Sequence, residues 1–325
     1  MNGRLVKIEK ADYEMLSGRT RSTELKHILD EQGPRSYYWE VIAKAKEQES
    51  VTDVERWNLD GDYRKRCKHF MQGNLFHELM LDGRIGWHET DATRNIAHKA
   101  YQAVLDAAEG KPILSSSEVR EIEAWFEGAM RNKEIRAIIE GPRLSEQVVL
   151  WDETIEIPVP GGRTTEIVIP CKLSYDLWCP DSRYCIKTTM AKTRYGYRKQ
   201  IHELKYHFSG AFYERGSRRV PELQKVKAPF KHIVIHKDPP HYSYVWEMSR
   251  VWINNGHRLV QAGFERLAKS LHAQATMQEG ADVIDAWPDY LESDDAAKYM
   301  IPDVWMIEEY GENSANYDPF EEYYK

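Results

Sequence analysis

The sequence predicts an α/β (α+β) protein, with a central mixed β-sheet flanked by helices and a helical N-terminal part. Three observations carry that reading. Apolar residues recur at helical spacing through the first 140 positions; short strand-like runs begin after Gly141-Pro142; a long helix-spaced stretch follows them. No internal repeat is present, so the chain is not a solenoid or a propeller.

The elements follow in order. Residues 22–29 predict a short helix with Leu25, Ile28 and Leu29 on one face, ended by Gly33-Pro34, and residues 36–48 a second. Residues 73–81 predict a third, striped by Leu75, Phe76, Leu79 and Met80. Ser115 to Glu118 has a capping-box pattern, after which Ile122, Trp125, Phe126, Ala129 and Met130 keep helical spacing. Strands are expected at 146–151, continued at 154–159, and, after a turn at Pro160-Gly161-Gly162, at 165–173, 175–178 and 183–187. A helix over 199–214, strands at 232–235 and 243–248, and a long helix over 253–273 complete the pattern. The expected divisions are a helical part over 1–140, a sheet-bearing core over 141–275 and a C-terminal segment over 276–325, with 1–305 forming one continuous domain.

The 325 residues can bury a sizeable core, and 42% apolar residues with 19 Tyr and 10 Trp exclude a largely disordered chain. No run approaches 18 apolar residues, and the first five residues lack a signal-peptide core, so a soluble cytoplasmic protein is expected, with no membrane partner. Cys67, Cys171, Cys179 and Cys185 form no CxxC pair and are expected as free thiols. The net charge of −7 is uneven: from Lys187 to Lys237 there are thirteen Lys or Arg against three acids. Such a block is either a solvated face or a phosphate-binding surface. The acidic run from Glu308 to Glu322 could oppose it electrostatically, mask the groove or be a flexible tail.

Chemistry concentrates near the middle. Residues 171–176 read Cys-Lys-Leu-Ser-Tyr-Asp, and a tight polar loop returns the chain as Tyr184-Cys185-Ile186-Lys187-Thr188-Thr189. This resembles a metal-dependent nuclease core with one acid missing, in which a carboxylate ends one strand and a hairpin returns a second carboxylate two residues before a lysine. Strand alternation puts residues 185 and 187 on one face and Ile186 on the other. Position 185 carries a thiol where that chemistry uses an oxygen anion. Asp176, between Tyr175 and Leu177, needs a metal or an ion pair to justify its place in an apolar strand. Lys187 reads as a catalytic lysine or a member of the basic patch, His77 as a core imidazole or a metal ligand, and Glu146 as a surface acid or a ligand. Asp181 reads as a cap on the hairpin loop.

With these residues the chain resembles the RecE-type exonucleases, the exodeoxyribonuclease VIII group of the PD-(D/E)XK nuclease superfamily, found in phages and prophages. The resemblance runs through most of the chain: Leu25-Lys26 leading to Gly33-Pro34, Gly73 to Leu81 around His77, Glu146 before Trp151-Asp152, Asp176, Lys187-Thr188-Thr189, Gly210 to Tyr213, Trp287 to Tyr290 and Pro302 to Trp305. It implies a restriction-endonuclease-like sheet and an Mg²⁺ (or Mn²⁺) cofactor held by His77, Asp176 and Glu146, the group at 185 and the carbonyl at 186 adding to the set. Asp176, Lys187 and the group at 185 would be catalytic. It further implies DNA contacts from Lys192, Arg194, Arg198, Lys199, Lys205, Arg215 and Tyr213, with Tyr195, Tyr197 or Tyr206 able to stack on bases. Linear double-stranded DNA as substrate, a ring-shaped homo-oligomer, a single-strand annealing recombinase as partner and the cytoplasm of a bacterial host follow from the same resemblance. Two positions depart from it. Cys185 stands where the family has an acid, and a thiol is a poor ligand for a hard ion; Ser209 stands where a glutamine is usual, with Gln200 as the nearby substitute. An active nuclease, one aided by Asp181 or by Mn²⁺, and an inactive nuclease-fold protein that binds DNA or assembles all remain open at this level.

Overall fold

The computed structural model describes residues 3–6, 13, 16, 18–29, 33–43, 52–91, 99–224 and 229–288. The terminal Pro302-to-Trp305 motif, the acidic run, residues 289–290 and residues 44–48 of the second expected helix lie outside the described residues.

In chain order the strands are β1 (Arg4–Val6), β2 (His88–Glu89), β3 (Ile113–Leu114), β4 (Leu144–Val159), β5 (Arg163–Trp178), β6 (Arg183–Thr189), β7 (Phe230–His236) and β8 (Ser243–Glu247). The helices are α1 (Ser22–Lys26), α2 (Gly33–Tyr37), α3 (Asp53–Leu59), α4 (Gly61–Asp82), α5 (Lys99–Ala108), α6 (Ser116–Arg131), α7 (Lys133–Glu140), α8 (Arg194–Glu203), α9 (Tyr206–Ser217), α10 (Pro221–Gln224) and α11 (Arg250–Ala275). A six-stranded mixed sheet runs in the order β1-β4-β5-β6-β7-β8; all neighbours are antiparallel except β6 and β7. β2 and β3 make a small separate pair.

The sheet is covered on both faces, which explains why successive residues at the centre of β7, Ile233-Val234-Ile235, are all apolar. Val234 packs with Phe208, Phe212 and Phe264 of α9 and α11, while Ile233 and Ile235 pack with Phe76 of α4 and Ile122 and Trp125 of α6. Phe76 is fully buried and meets Trp125 edge-on at 6.1 Å. Truncating it to Ala would cost about 3–5 kcal/mol. On the other face Gly216 lets α9 close onto the sheet, because a Cβ there would meet Trp151 and Leu173 at 2.7 Å.

Local chemistry sets the helix ends. Asp60 accepts from the amides of Asp62 and Tyr63 at the start of α4, and Gly83, with φ 66°, ends it. The helix around His77 is therefore 22 residues long, more than twice the stretch its apolar stripe marks. Ser115 and Glu118 form the expected reciprocal box at the start of α6. At 160–162 the hairpin turns through Gly161 and Gly162, with φ of 87° and 70°.

Four expectations are corrected. Gly33-Pro34 opens α2 instead of ending α1; proline suits a first helical turn, where no amide donor is needed. The expected strands at 165–173 and 175–178 are one strand, because pairing with β4 continues through Ser174. The expected helix at 199–214 is two, broken at Lys205 in the left-handed region (φ 50°). Residues 4–6 form a strand inside the part expected to be helical, because they pair with Val148 to Leu150, a partner remote in sequence.

Candidate active site

The site lies where β5 and β6 part. Their pairing is confined to Leu177 with Tyr184 and Trp178 with Arg183; beyond these β6 follows β7. Further back on β5, its edge is met by Thr20, whose amide donates to the Pro170 carbonyl (2.7 Å) and whose carbonyl accepts from the Lys172 amide (3.0 Å). Between the two contacts a cleft of about 360 Å³ opens, lined on the sheet side by Glu146, Ser174, Asp176, Ile186, Lys187 and Thr188. Helix α4 supplies His69, Phe70, Gly73, Asn74 and His77, and Tyr13 and Tyr206 close the remaining sides.

Asp176 spans the parting. Its Oδ2 accepts from the Ile186 amide at 2.7 Å, replacing the ladder bond that β5 no longer makes. The same oxygen is 3.0 Å from His77 Nε2, which also lies 3.2 Å from the Ile186 carbonyl oxygen. Burial pushes the Asp176 carboxyl up, but His77, Lys187 and the Ile186 amide outweigh it and bring it down to about 2. Asp176 is thus ionised at neutral pH.

Cys185 and Lys187 share the face opposite Ile186, as alternation requires: Cys185 belongs to the α9–α11 core and Ile186 to the α4–α6 core. The Lys187 ammonium lies 5.4 Å from the Tyr206 ring centre. Burial pulls its pKa down, yet Cys185 and Asp176 outweigh burial and raise it, so it is a cation. Behind it His232, paired in register with Cys185, is 1% exposed and contacts the Tyr197 hydroxyl through Nδ1 at 2.7 Å. Burial, then Lys187, hold that imidazole well below its ordinary range, and it is neutral.

Cys185 is 4% exposed and does not line the cleft. Burial, then the Asp176 charge, push its thiol well up, so it is a protonated core group. Glu146 does line the cleft. It falls opposite Asp176 in the β4–β5 register, between the Ser145–Leu177 and Gln147–Tyr175 pairs, with a φ of 50° that a glutamate rarely adopts.

Among the described residues no three His, Cys, Asp or Glu side chains converge at metal-binding distance. The donors that do converge are mixed: His77 Nε2, Asp176 Oδ2 and the Ile186 carbonyl. Adjacent ligands of an octahedral ion at about 2.1 Å stand about 3 Å apart, and the 3.0 and 3.2 Å separations from His77 Nε2 match that spacing. These donors fit part of the coordination of a small divalent cation.

The residues expected to contact DNA lie elsewhere. None of Lys192, Arg194, Arg198, Lys199, Lys205, Tyr213 and Arg215 lines the cleft. Lys192, Arg194 and Lys199 are exposed. Arg194 lies over Tyr244 and Arg198 near Trp252, while Lys199 reaches Glu203 at 3.7 Å and Lys205 sits at the α8–α9 break. Arg215 is committed to the buried Glu153 at 3.0 Å, and Tyr213 packs on Tyr175 and Phe230. Asp181 is exposed on the hairpin loop and Ser209 is half-buried on α9, both outside the lining. Gln200 bonds Thr189 at 2.5 Å. The lining residues that sequence reasoning passed over are Tyr13, His69, Phe70 and Asn74. Positions 70, 74 and 77 sit at i, i+4 and i+7, a signal legible once His77 is placed on a helix.

No family model and no curated protein matches this chain. Among solved structures, that of a provisionally assigned exonuclease from Eubacterium rectale is similar over 86% of this chain and 98% of its own, at 9% identity and a TM-score of 0.49.

Proposed function

We propose that the chain is a metal-dependent deoxyribonuclease, and that its specific form is the RecE-type exonuclease acting on linear double-stranded DNA. The observation that carries the first statement is the convergence of Asp176, His77 and the Ile186 carbonyl at the parting of β5 and β6, with the Lys187 cation on the same cleft. The second rests on the order of sequence motifs.

In this reading His77, Asp176 and the Ile186 carbonyl hold Mg²⁺ or Mn²⁺, with Glu146 opposite Asp176. When bound, the ion supplies an activated water and neutralises phosphate charge. Lys187 stays protonated beside Tyr206 and stabilises the charge growing on the scissile phosphate. Asp176 stays ionised because its three partners oppose its burial, and the Ile186 amide fixes its orientation. A homo-oligomer, an annealing recombinase as partner and a cytoplasmic location belong to the same proposal and rest on the sequence resemblance. No helix among the described residues is long and apolar enough to cross a membrane.

A second reading is a nuclease-fold protein that binds DNA without cutting it. The burial of Cys185 favours it, since the group at 185 then adds no ligand. Incubating linear duplex DNA with the protein and Mg²⁺ or Mn²⁺ separates the two. Cleavage that disappears in EDTA, in Asp176→Ala and in Lys187→Ala is expected; salt-sensitive binding without cleavage would move the conclusion to the second reading.

A further inference from the structure

Phe70 is 60% exposed, although α4 has a largely apolar buried face to offer. Met71, Leu75, Phe76 and Met80 are buried on that face, whereas Phe70, Asn74 and His77 form a separate stripe along the cleft. Exposure of a single aromatic ring is ordinary in itself; what sets Phe70 apart is its place in the lining of the charged cleft, beside Asn74 and His77. Seven residues separate Phe70 from His77, so the two point the same way about 10 Å apart along the helix. One nucleotide, measured from its phosphate to the far edge of its base, covers that span.

We propose that Phe70 is a stacking platform for an unpaired nucleobase, that of the nucleotide adjoining the phosphate that meets the Lys187 cation, with Asn74 between Phe70 and His77 facing the sugar and base. The inference rests on the phosphodiester reading above and narrows its substrate: the reacting end is single-stranded or frayed. The cleft volume agrees, since about 360 Å³ lies at the small end of small-molecule sites and suffices for one nucleotide. Base stacking on an aromatic ring tolerates any base, so the platform gives little sequence preference.

The test is binding and photocrosslinking in EDTA, where cleavage is suppressed, using a dT oligonucleotide carrying one 5-iodouracil. Crosslinking to the peptide that contains Phe70 is expected. Phe70→Ala should abolish it and weaken binding about 5- to 150-fold, the range for one stacked base, while Phe70→Trp retains both and a closed dumbbell duplex, which has no end to fray, binds Phe70→Ala and the native chain alike. Because the ring is mostly in water, Phe70→Ala should fold normally. Crosslinking to Tyr195 or Trp39 instead, or unchanged affinity in Phe70→Ala, overturns the proposal. A protein that crosslinks at Phe70 yet never cleaves DNA supports the platform and refutes the nuclease; cleavage with no stacking at Phe70 does the reverse.

Discussion

Replacing Asp176 by Asn keeps the shape and the acceptor for the Ile186 amide but removes the charge. The carboxyl is drawn from its ordinary 3.8 to about 2 by His77, Lys187 and the Ile186 amide against the opposing effect of burial. That difference corresponds to about 2 kcal/mol favouring the ionised form in the folded state. A folded pKa below the unfolded one contributes stability above about pH 4, and the contribution is lost as pH falls from about 4 to about 2. In EDTA at pH 7, Asp176→Asn should therefore be about 2 kcal/mol less stable, and the gap should close as the pH approaches 2. Urea unfolding at pH 7 and pH 3 measures it. In parallel, Mn²⁺ should raise the melting temperature of the native chain and leave the variant unchanged, because a ligand stabilises only the state that binds it. A variant equally stable or more stable at pH 7 would refute the electrostatic account: burial would then outweigh the partners, and the site would be a strained one.

Three further outcomes are expected. Arg215→Ala should cost about 3 kcal/mol, because it strips a partner from the fully buried Glu153, and should leave DNA affinity unchanged; weak DNA binding at native stability would return Arg215 to the interface. Cys185→Asp puts a second carboxylate beside Asp176 in the core and should lose about 3 kcal/mol or more in EDTA. Mn²⁺ should then raise its melting temperature further than that of the native chain, and an equal rise would show that position 185 does not reach the cation. Lys237 is held by burial at about 8, so between about pH 8 and 10.5 the unfolded chain binds more protons and stability rises with pH. Lys237→Met should remove that rise, seen as the difference between the two melting-temperature profiles.

Much of the site was legible because its residues are close in sequence. Asp176, Ile186 and Lys187 belong to one hairpin, and period-two alternation alone assigns Cys185 and Lys187 to the face opposite Ile186. The basic block was legible as charge, but the separate placement of its members was not: Arg215 meets Glu153, 62 residues earlier, and Gln261, 46 residues later, whereas Arg194 is exposed beside Tyr244. The α8–α9 break is not legible in the sequence, because Lys205, which takes the left-handed backbone there, is not one of the residue types that mark such a turn.

By itself, the sequence determined most of the element types, the layered α/β class and the hairpin that carries Asp176 on one strand and Cys185-Ile186-Lys187 on the next, since all of these depend on local periodicity and turn chemistry. Only the tertiary structure decided that β5 and β6 separate after Leu177, that His77 crosses from α4 to meet Asp176, and that the thiol of Cys185 turns into the core while Phe70 stays in water. Those outcomes are set by which surfaces pack against which across long sequence separations. Periodicity can specify a face but not the element that covers it.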